Sequence, residues 1–393
     1  MNATLLSKSR PLEILILAPD FKPNPGGVAE YVHQMARHLK SAGDEPVVLA
    51  RPAEERNIDE YTVVDYRDKV IPYEGPPWNL FGRYMTYRKN CRARRDMLEQ
   101  YSPDVVWMTA PLYDGHLYPQ HYWGSACRKT GVPYIITSHG SDSRRLASEG
   151  AGSHAKKLVK DAERLLVVSS FVRDNLAKAR LETGHATVLP NGVSLDCLEK
   201  SGYGGILPYG VDEGFMVLCA TRFVGCKRLD ILVRGMKTVI KQFPSAVLVL
   251  AGDGEERDDI RRVTEELGLK NHVRFPGYVA GPEKWACFER ADVYAMPSEG
   301  EGFGISFVEA AAKGTPCVAT WGDGSEEAVL HEETGLLVPP NEPDALAEAI
   351  IRLLKDDDLR ERLGRAGRRR VEEELNWPAI ARKVHGILED VVR

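Results

Sequence analysis

Two glutamates, Glu301 and Glu309, lie in a glycine-rich stretch, Pro-Ser-Glu-Gly-Glu-Gly-Phe-Gly-Ile-Ser-Phe-Val-Glu, at residues 297–309. A strand-like segment, residues 292–296, precedes this stretch, and an apolar helical segment, residues 308–313, follows it. A turn of small residues between a strand and a helix exposes backbone N–H groups at the helix N-terminus, where a ligand can bind. Carboxylates only accept hydrogen bonds, so the two glutamates suit donors such as sugar hydroxyls.

The same stretch also has a structural interpretation that involves no ligand. Ser306 and Glu309 fit the Ser-x-x-Glu capping box, in which the glutamate only binds backbone at the start of a helix. Glycine in a turn between a strand and a helix is also ordinary. By themselves, the residues of this stretch leave capping and ligand binding both open.

Three cations follow a predicted strand in the second half of the chain. Arg222, Lys227 and Arg228 lie where a helix should begin. The helix dipole disfavours cations at that end, so a nearby anion would account for them. The planar guanidinium of an arginine can grip a phosphate, and a lysine adds a compact charge. A set of solvated surface cations is the alternative.

Two features of the first half also follow predicted strands. Gly26 and Gly27 open a helix, where free N–H groups could hold a diphosphate, although a plain turn would look the same. His139 follows a later strand, where a lone histidine is most often structural. The sequence contains no Gly-x-Gly-x-x-Gly, so a nicotinamide dinucleotide site has no support.

These groups depend on an alternation of strands and helices that runs through both halves of the chain. In the first half we predict strands at 12–17, 46–50, 104–109, 132–137 and 165–169, and helices at 28–41, about 114–130 and 151–163, with 51–100 less regular. In the second half we predict strands at 215–220, 246–251, 272–276, 292–296, 316–320 and 335–338, and helices near 228–242, 255–267, 281–290, 305–313 and 342–355. The alternation predicts parallel, doubly wound α/β sheets, in which ligands bind beyond the carboxyl ends of the strands.

Length and composition restrict the class of protein. A chain of 393 residues with 43% hydrophobic and 28% charged residues predicts a globular protein of two domains. The seven cysteines are odd in number and form no Cys-x-x-Cys, which predicts reduced thiols in a cytoplasmic protein without a structural zinc. No apolar run approaches the roughly 20 residues of a membrane span. The net charge of −5 argues against a nucleic-acid partner.

One basic segment, Arg83–Arg95, also contains aromatic residues. A basic amphipathic helix can lie on anionic lipid, and a solvated helix face is the alternative. This segment leaves peripheral contact with the inner face of a membrane open.

The pattern Pro-Ser-x-x-Glu-Gly-Phe-Gly-x-x-x-x-Glu-Ala that begins at Pro297 resembles the nucleotide-binding signature of retaining glycosyltransferases of family 4. The resemblance covers nearly the whole chain, and Pro190-Asn-Gly-Val193 resembles the family's passage from its first domain to its second. It implies the GT-B fold, with two Rossmann-like, doubly wound α/β domains facing across a cleft. These would be an acceptor-side domain, 1–195, onto which a last helix at 376–393 packs back, and a nucleotide-sugar-binding domain, 196–375.

The resemblance assigns roles to residues around the donor sugar and nucleoside. It implies that Glu301 contacts hydroxyls of the sugar, that His139 lies beside the sugar, and that both belong to the catalytic set. It implies that Glu309 binds the ribose. Backbone near Tyr278 and Val279 would read the nucleobase.

The resemblance also assigns the donor diphosphate. Arg222 and Lys227 match the family's catalytic cations, which bind the diphosphate, and Gly26 and Gly27 match its glycine loop beside the diphosphate and the acceptor. The family's glycine after the lysine is Arg228 here, which puts the local backbone contact in doubt.

Positive potential for the leaving diphosphate would come from fixed groups. The start of the helix at Phe303, Gly304 and Ile305 would add to the potential of Arg222 and Lys227. We therefore expect no metal and no cofactor, with the nucleotide-sugar donor as a substrate.

The expected activity is transfer of a hexose from a UDP- or GDP-sugar to a hydroxyl of a lipid-linked, glycan or small-molecule acceptor, in glycolipid, polysaccharide or other glycan biosynthesis. We predict a cytoplasmic enzyme that can be peripheral at the inner membrane face. A sugar-nucleotide epimerase or a phosphorylase of the same fold is one alternative. A non-catalytic sugar-nucleotide-binding protein is another.

Overall fold

A computed structural model describes residues 10–18, 21–23, 26–53, 58–66, 79–109, 121–199 and 214–393. The chain divides into two compact units: unit 1 is Met1–Leu189 with Ala381–Arg393, and unit 2 is Pro190–Ile380. The described residues do not include Pro25, which precedes Gly26, residues 114–120 of a predicted helix, or the segment 201–213, whose glycines and proline are typical of a linker. No helix of the described ranges is both long and apolar enough to cross a membrane.

Unit 1 is a parallel sheet with helices between its strands. Its elements are β1 (Glu13–Ala18), α1 (Gly27–Ala42), β2 (Glu45–Ala50), β3 (Thr62–Asp65), α2 (Leu80–Tyr101), β4 (Val105–Thr109), α3 (His121–Thr130), β5 (Tyr134–Ser138), α4 (Ser141–Glu149), α5 (Ser153–Lys160), β6 (Arg164–Val167), α6 (Ser170–Lys178) and β7 (Ala186–Val188). The strand order is β3-β2-β1-β4-β5-β6-β7, and every pair is parallel.

Unit 2 repeats this architecture. Its elements are α7 (Asp196–Glu199), β8 (Met216–Ala220), α8 (Leu229–Gln242), β9 (Val247–Ala251), α9 (Arg257–Glu266), β10 (Val273–Gly277), α10 (Gly281–Arg290), β11 (Val293–Ala295), α11 (Ile305–Ala312), β12 (Cys317–Thr320), α12 (Ser325–Ala328), β13 (Gly335–Val338), α13 (Pro343–Lys355), α14 (Asp357–Glu373) and the start of α15 (Trp377–Val392). The sheet is again parallel, in the order β10-β9-β8-β11-β12-β13.

The prediction of two parallel α/β sheets is confirmed. Strands such as β4 and β9 are buried at every position, because helices cover both faces of a parallel sheet. In unit 1 the strand β3 and the helices α4 and α6 were not predicted, and of α2 only the segment 83–95 was predicted to be helical. In α2 the cause is visible, since its buried face includes Asn90 and Arg94, which hide the apolar periodicity of a helix.

The strand orders fix where a ligand can approach each sheet. In unit 2 the first strand, β8, lies beside the fourth, β11, so successive crossovers run in opposite directions from that point. A crevice opens at the carboxyl ends of two such strands. The segment with Arg222 follows β8, and the segment with Glu301 follows β11.

Asn376 caps the start of the last helix. Asn376 Oδ1 accepts a hydrogen bond from the N–H of Ala379 at 2.9 Å, and its Nδ2 donates to the carbonyls of Val371 and Glu372. From Ala381 onward the residues of α15 belong to unit 1. There His385 Nδ1 lies 2.7 Å from Oδ2 of the buried Asp44.

Candidate functional site

The loop that carries Arg222 is held by backbone packing against the loop after β9. The N–H of Thr221 donates to the carbonyl of Ala251, and the carbonyl of Phe223 accepts from the N–H of Glu256. A Cβ added at Gly252 would lie 1.8 Å from the carbonyl oxygen of Thr221. No side chain fits that gap, so the glycine is required for the loops to meet.

Arg222 and Lys227 both lie on this loop, but their side chains differ in exposure and in contacts. The side chain of Arg222 is exposed, and its guanidinium has no hydrogen bond or ion pair within the described part of the chain. Lys227 ends a single 3-10 turn that begins at Gly225, and its Nζ forms an ion pair with Oε2 of Glu301. The structure thus brings together two of the residues that the sequence singled out separately.

Arg228 occupies the position after Lys227 where the resemblance implies a glycine. Its φ is 48°, the left-handed conformation that glycine favours, so the backbone turn is kept although the residue is different. Its guanidinium contacts Asp230 at 3.3 Å, Glu299 at 3.1 Å, and the side chain of Asn341. These contacts hold an arginine in a conformation that costs an L-residue about 1–2 kcal/mol.

The backbone of Glu301 is bound by the buried carboxylate of Asp323. Asp323 accepts a hydrogen bond from the N–H of Glu301 at 2.7 Å and another from the N–H of Ser325 at 2.8 Å. Burial raises the pKa of Asp323 to about 6, against the stabilising effect of these N–H groups on its carboxylate. A Cβ at Gly324 would lie 2.0 Å from the carbonyl oxygen of Gly302, so the two loops touch backbone to backbone.

Helix α11 begins without the predicted capping box. Gly304 precedes the helix with φ 86°, and no side chain caps the helix. Ser306 is the second helical residue, and its hydroxyl lies 2.7 Å from the hydroxyl of Tyr294. Glu309 forms an ion pair with Lys284 of α10. The capping interpretation is therefore wrong, and the first-turn N–H groups of α11 have no side-chain cap.

The other predicted site residues of unit 2 differ in burial. Phe303 is buried and Ile305 begins α11, next to Gly304. Tyr278 follows β10 and is 71% exposed, whereas Val279 beside it is buried. The side chain of Tyr278 is therefore open to solvent, and the prediction that backbone at Tyr278 and Val279 reads a nucleobase stays a prediction.

In unit 1, His139 is a neutral histidine. Burial lowers its pKa to about 4, and its ring lies edge-on to Tyr31 with centroids 4.7 Å apart. Its Nε2 has no hydrogen-bond partner in the described part of the chain. Asp142 holds the loop, since its Oδ1 accepts from the hydroxyl of Ser138 and the N–H of Gly140.

At the glycine pair of unit 1, Gly26 and Gly27, steric contacts give less reason for glycine than they do at Gly252. Gly26 precedes α1 in an extended conformation, and a Cβ added there would meet nothing within 4 Å. Gly27 is the first residue of α1. Packing within the described residues therefore does not require glycine at 26.

Two residues that sequence reasoning missed hold the predicted glutamates. Asp323 binds the backbone of Glu301, and Lys284 pairs with Glu309. A signal for Asp323 exists, because Gly322-Asp-Gly324 follows a predicted strand as Gly252-Asp-Gly254 does. No group of three or more His, Cys, Asp or Glu side chains that could hold a metal occurs in the described ranges.

Family models match both halves of the chain. The family model described as glycosyl transferases group 1 matches residues 210–370, and that of glycosyltransferase family 4 matches residues 25–196. A GDP-mannose-dependent alpha-(1-6)-phosphatidylinositol monomannoside mannosyltransferase of Mycobacterium tuberculosis is 27% identical, over 95% of this chain and 97% of its own. A phosphatidyl-myo-inositol mannosyltransferase of Mycobacterium leprae is 29% identical, over 93% of this chain and 94% of its own.

Solved structures resemble the whole fold. A glycosyltransferase from Rickettsia africae has a TM-score of 0.78 at 19% identity, covering 97% of this chain and 98% of its own. An Anabaena protein in complex with UDP and glucose has a TM-score of 0.73 at 18% identity, covering 96% of this chain and 100% of its own. These similarities confirm the predicted GT-B fold.

The backbone of Arg228 gives a first prediction. Arg228→Ala keeps the left-handed strain and loses the side-chain contacts, whereas Arg228→Gly loses the same contacts and removes the strain. We expect the glycine variant to have a free energy of unfolding about 1–2 kcal/mol higher than the alanine variant. Denaturant titration of both variants would measure it, and equal stabilities would contradict a strained Arg228.

Asp323 gives a second prediction, on pH. Protonation near pH 6 replaces an acceptor by an O–H beside the N–H of Glu301, so kcat/KM should fall as the pH is lowered through about 6. Because the folded pKa lies above the ordinary value, protonation stabilises the folded protein relative to the unfolded chain, and that contribution is lost as the pH rises through 6. The loss of activity should therefore occur without a loss of melting temperature.

The matched control is Asp323→Asn. Its amide cannot titrate and can accept from only one of the two N–H groups, so the rate should be low and free of the step near pH 6. Initial rates between pH 5 and 8, with melting curves at each pH, test this. A variant that keeps the wild-type step would show that another group titrates.

Proposed function

Since this chain belongs to the family 4 glycosyltransferases, we propose that it is a retaining hexosyltransferase that moves mannose from GDP-mannose to a hydroxyl of a lipid-linked acceptor. The activities for which the two mycobacterial relatives are named support this choice of donor and acceptor. The observation that carries the proposal is the contact between Lys227 and Glu301, with Arg222 unpaired on the same loop.

The leaving diphosphate is the first chemical requirement. Arg222 offers a guanidinium that no described side chain neutralises, and Lys227 adds an ammonium that is 15% exposed. The segment at the start of α11 would contribute backbone N–H groups at Phe303, Gly304 and Ile305. Fixed positive groups of this kind stabilise charge as it develops on the departing phosphates.

The ion pair between Lys227 and Glu301 suits a site that receives two different groups. An ammonium has three donors, so one N–H can stay on Glu301 while another binds a phosphate oxygen. Each carboxylate oxygen of Glu301 can accept more than one hydrogen bond, so sugar hydroxyls can also donate to it. The pair would thereby fix the position of the sugar relative to the diphosphate.

His139 would serve the sugar as a neutral group. Its low pKa keeps the imidazole uncharged at pH 7, so it can exchange a hydrogen bond with a hydroxyl without adding charge. No residue in this scheme acts as a nucleophile. The acceptor hydroxyl would attack the face that the diphosphate leaves, and a phosphate oxygen would take its proton.

The nucleoside would lie toward α10 and α11. Glu309 would accept from the ribose hydroxyls, with Lys284 orienting its carboxylate, and Tyr278 and Val279 would border the base. Among the described contacts, none favours an epimerase, a phosphorylase or a non-catalytic binding protein. We propose a cytoplasmic enzyme that works at the inner face of a membrane.

The third prediction separates the roles of the two glutamates. Glu309→Gln should weaken binding of bare GDP by about 1.5–3 kcal/mol, the range for hydrogen bonds to charged groups. Glu301→Gln should bind bare GDP like wild type while turnover of GDP-mannose falls, because this residue faces the sugar. Nucleotide titration with GDP, UDP and ADP and initial rates would measure both effects.

The matched control for Glu309→Gln is Glu289→Gln. Glu289 also pairs with a lysine across α10 and α11, at 3.5 Å from Nζ of Lys313, but is far more exposed. Its loss should leave affinity and turnover unchanged. If the Glu301 and Glu309 variants both bind and turn over like wild type, the donor site is wrongly assigned.

The fourth prediction concerns divalent ions. Because Arg222 and Lys227 are assigned to the diphosphate charge, turnover should persist in excess EDTA. The measurement is the initial rate with EDTA, and after adding back Mg²⁺ or Mn²⁺. Complete loss of turnover that a metal restores would overturn the assignment of these cations.

A further inference from the structure

Helix α2 carries most of the large exposed hydrophobic side chains of the described residues. The described residues include six such side chains, and four of them lie at the start of this helix: Leu80 (73% exposed), Phe81 (74%), Tyr84 (55%) and Met85 (37%). Single exposed apolar residues are ordinary, but a contiguous group marks an interaction surface. The proposed transfer reaction gives this surface no role.

The same helix carries a concentrated positive charge. Residues 79–95 contain six lysines and arginines and no acidic residue. Phe81, Tyr84, Met85, Arg88 and Arg92 recur at the spacing of one helix face. All five are exposed. One face therefore presents an apolar first part followed by cations.

The opposite face of α2 fixes this orientation. Asn90, Arg94 and Leu98 are buried. Arg94 donates a hydrogen bond to the carbonyl of Asn90 at 3.1 Å, and its guanidinium lies 5.5 Å from the ring centroid of Tyr122 in α3. A buried arginine held over a neighbouring ring is costly to displace, so the helix cannot simply roll its apolar residues inward.

We propose that this outward face of α2, made of Leu80, Phe81, Tyr84, Met85, Arg88, Lys89 and Arg92 and called here the α2 face, docks on an anionic lipid bilayer. The proposal extends the proposed function, in which the acceptor is lipid-linked. The apolar side chains would enter the boundary between headgroups and acyl chains, and the cations would lie against anionic headgroups.

Charge complementarity selects the bilayer over a second copy of the chain. The α2 face itself contains no acidic residue, and Asp96 and Glu99 follow only beyond Arg92. A symmetric dimer that buries the α2 face would therefore bury its cations without an acidic partner on that face, which is unfavourable. An anionic bilayer supplies the opposite charge and also a medium for Phe81 and Leu80. A free polyanion would satisfy the cations and leave these apolar side chains in water.

The first test removes the charges. Wild-type protein should sediment with vesicles of phosphatidylcholine and phosphatidylglycerol, and should remain in solution with phosphatidylcholine alone. The triple variant Arg88→Gln, Lys89→Gln, Arg92→Gln should bind the anionic vesicles more weakly by a factor on the order of a hundred, because each cation near such a surface contributes several-fold.

The matched control is Arg262→Gln, Arg365→Gln, Arg369→Gln. It removes the same charge from exposed positions on α9 and α14, so a general effect of net charge would appear in both triple variants. We expect the control to bind like wild type.

The second test removes the apolar part. Leu80→Ser with Phe81→Ser should weaken binding to anionic vesicles about tenfold while the melting temperature stays unchanged, since both side chains are almost fully in water. Failure of wild type to bind, or binding of both α2 variants at the wild-type level, would overturn the proposal. A wild-type dimer in solution that these serine variants dissociate would assign the α2 face to self-association instead.

Activity assays keep this proposal separate from the proposed function. Transfer from GDP-mannose to a water-soluble acceptor, with no binding to anionic vesicles, would overturn the docking surface alone. Vesicle binding that depends on the α2 face, without transfer to any lipid acceptor, would overturn the proposed acceptor and leave the docking surface standing. With both correct, the α2 variants should lose transfer to acceptors in vesicles and keep transfer to soluble ones.

Discussion

The candidate donor site depends on close contact between backbone segments at the carboxyl ends of the strands in unit 2. A Cβ at Gly252 would lie 1.8 Å from one carbonyl oxygen, and a Cβ at Gly324 would lie 2.0 Å from another. These contacts join the loop after β8 to the loop after β9, and the loop after β11 to the loop after β12. Because main chain touches main chain, the loops cannot shift independently, and the side chains on them keep their positions.

The charged side chains on these loops differ in burial, from a buried carboxylate to an exposed guanidinium. Asp323 is buried and binds the backbone N–H groups of Glu301 and Ser325. Lys227 and Glu301 are largely covered and bind each other, and Arg222 faces solvent. Partial burial strengthens the interaction between the paired charges, while the buried carboxylate is stabilised by N–H groups. The side chain nearest the solvent is the one left to meet an anion, which is the arrangement expected of a site that binds diphosphate reversibly.

Much of the fold could be predicted from the sequence, because strands such as β1 and β9 are continuous apolar runs and helices such as α8 are strongly periodic. The positions of Arg222, Lys227 and Glu301 at strand ends followed from the same pattern. Their pairing did not, because Lys227 and Glu301 are 74 residues apart and only the strand order brings them together. Of helix α2 only the segment 83–95 was predicted to be helical, and its buried face was not, because Arg94 is buried against Tyr122 of another helix.

The passage of α15 from unit 2 into unit 1 has a consequence for biosynthesis. The carboxylate of Asp44 is formed early and lies buried beside the N–H of Leu12 and the ring of His385. His385 is translated only after all of unit 2, so unit 1 cannot complete its own interior while its first 189 residues leave the ribosome. The contact between Asp44 and His385 within unit 1 can therefore form only after the chain of unit 2 has been made, whereas an N-terminal domain usually finishes folding first.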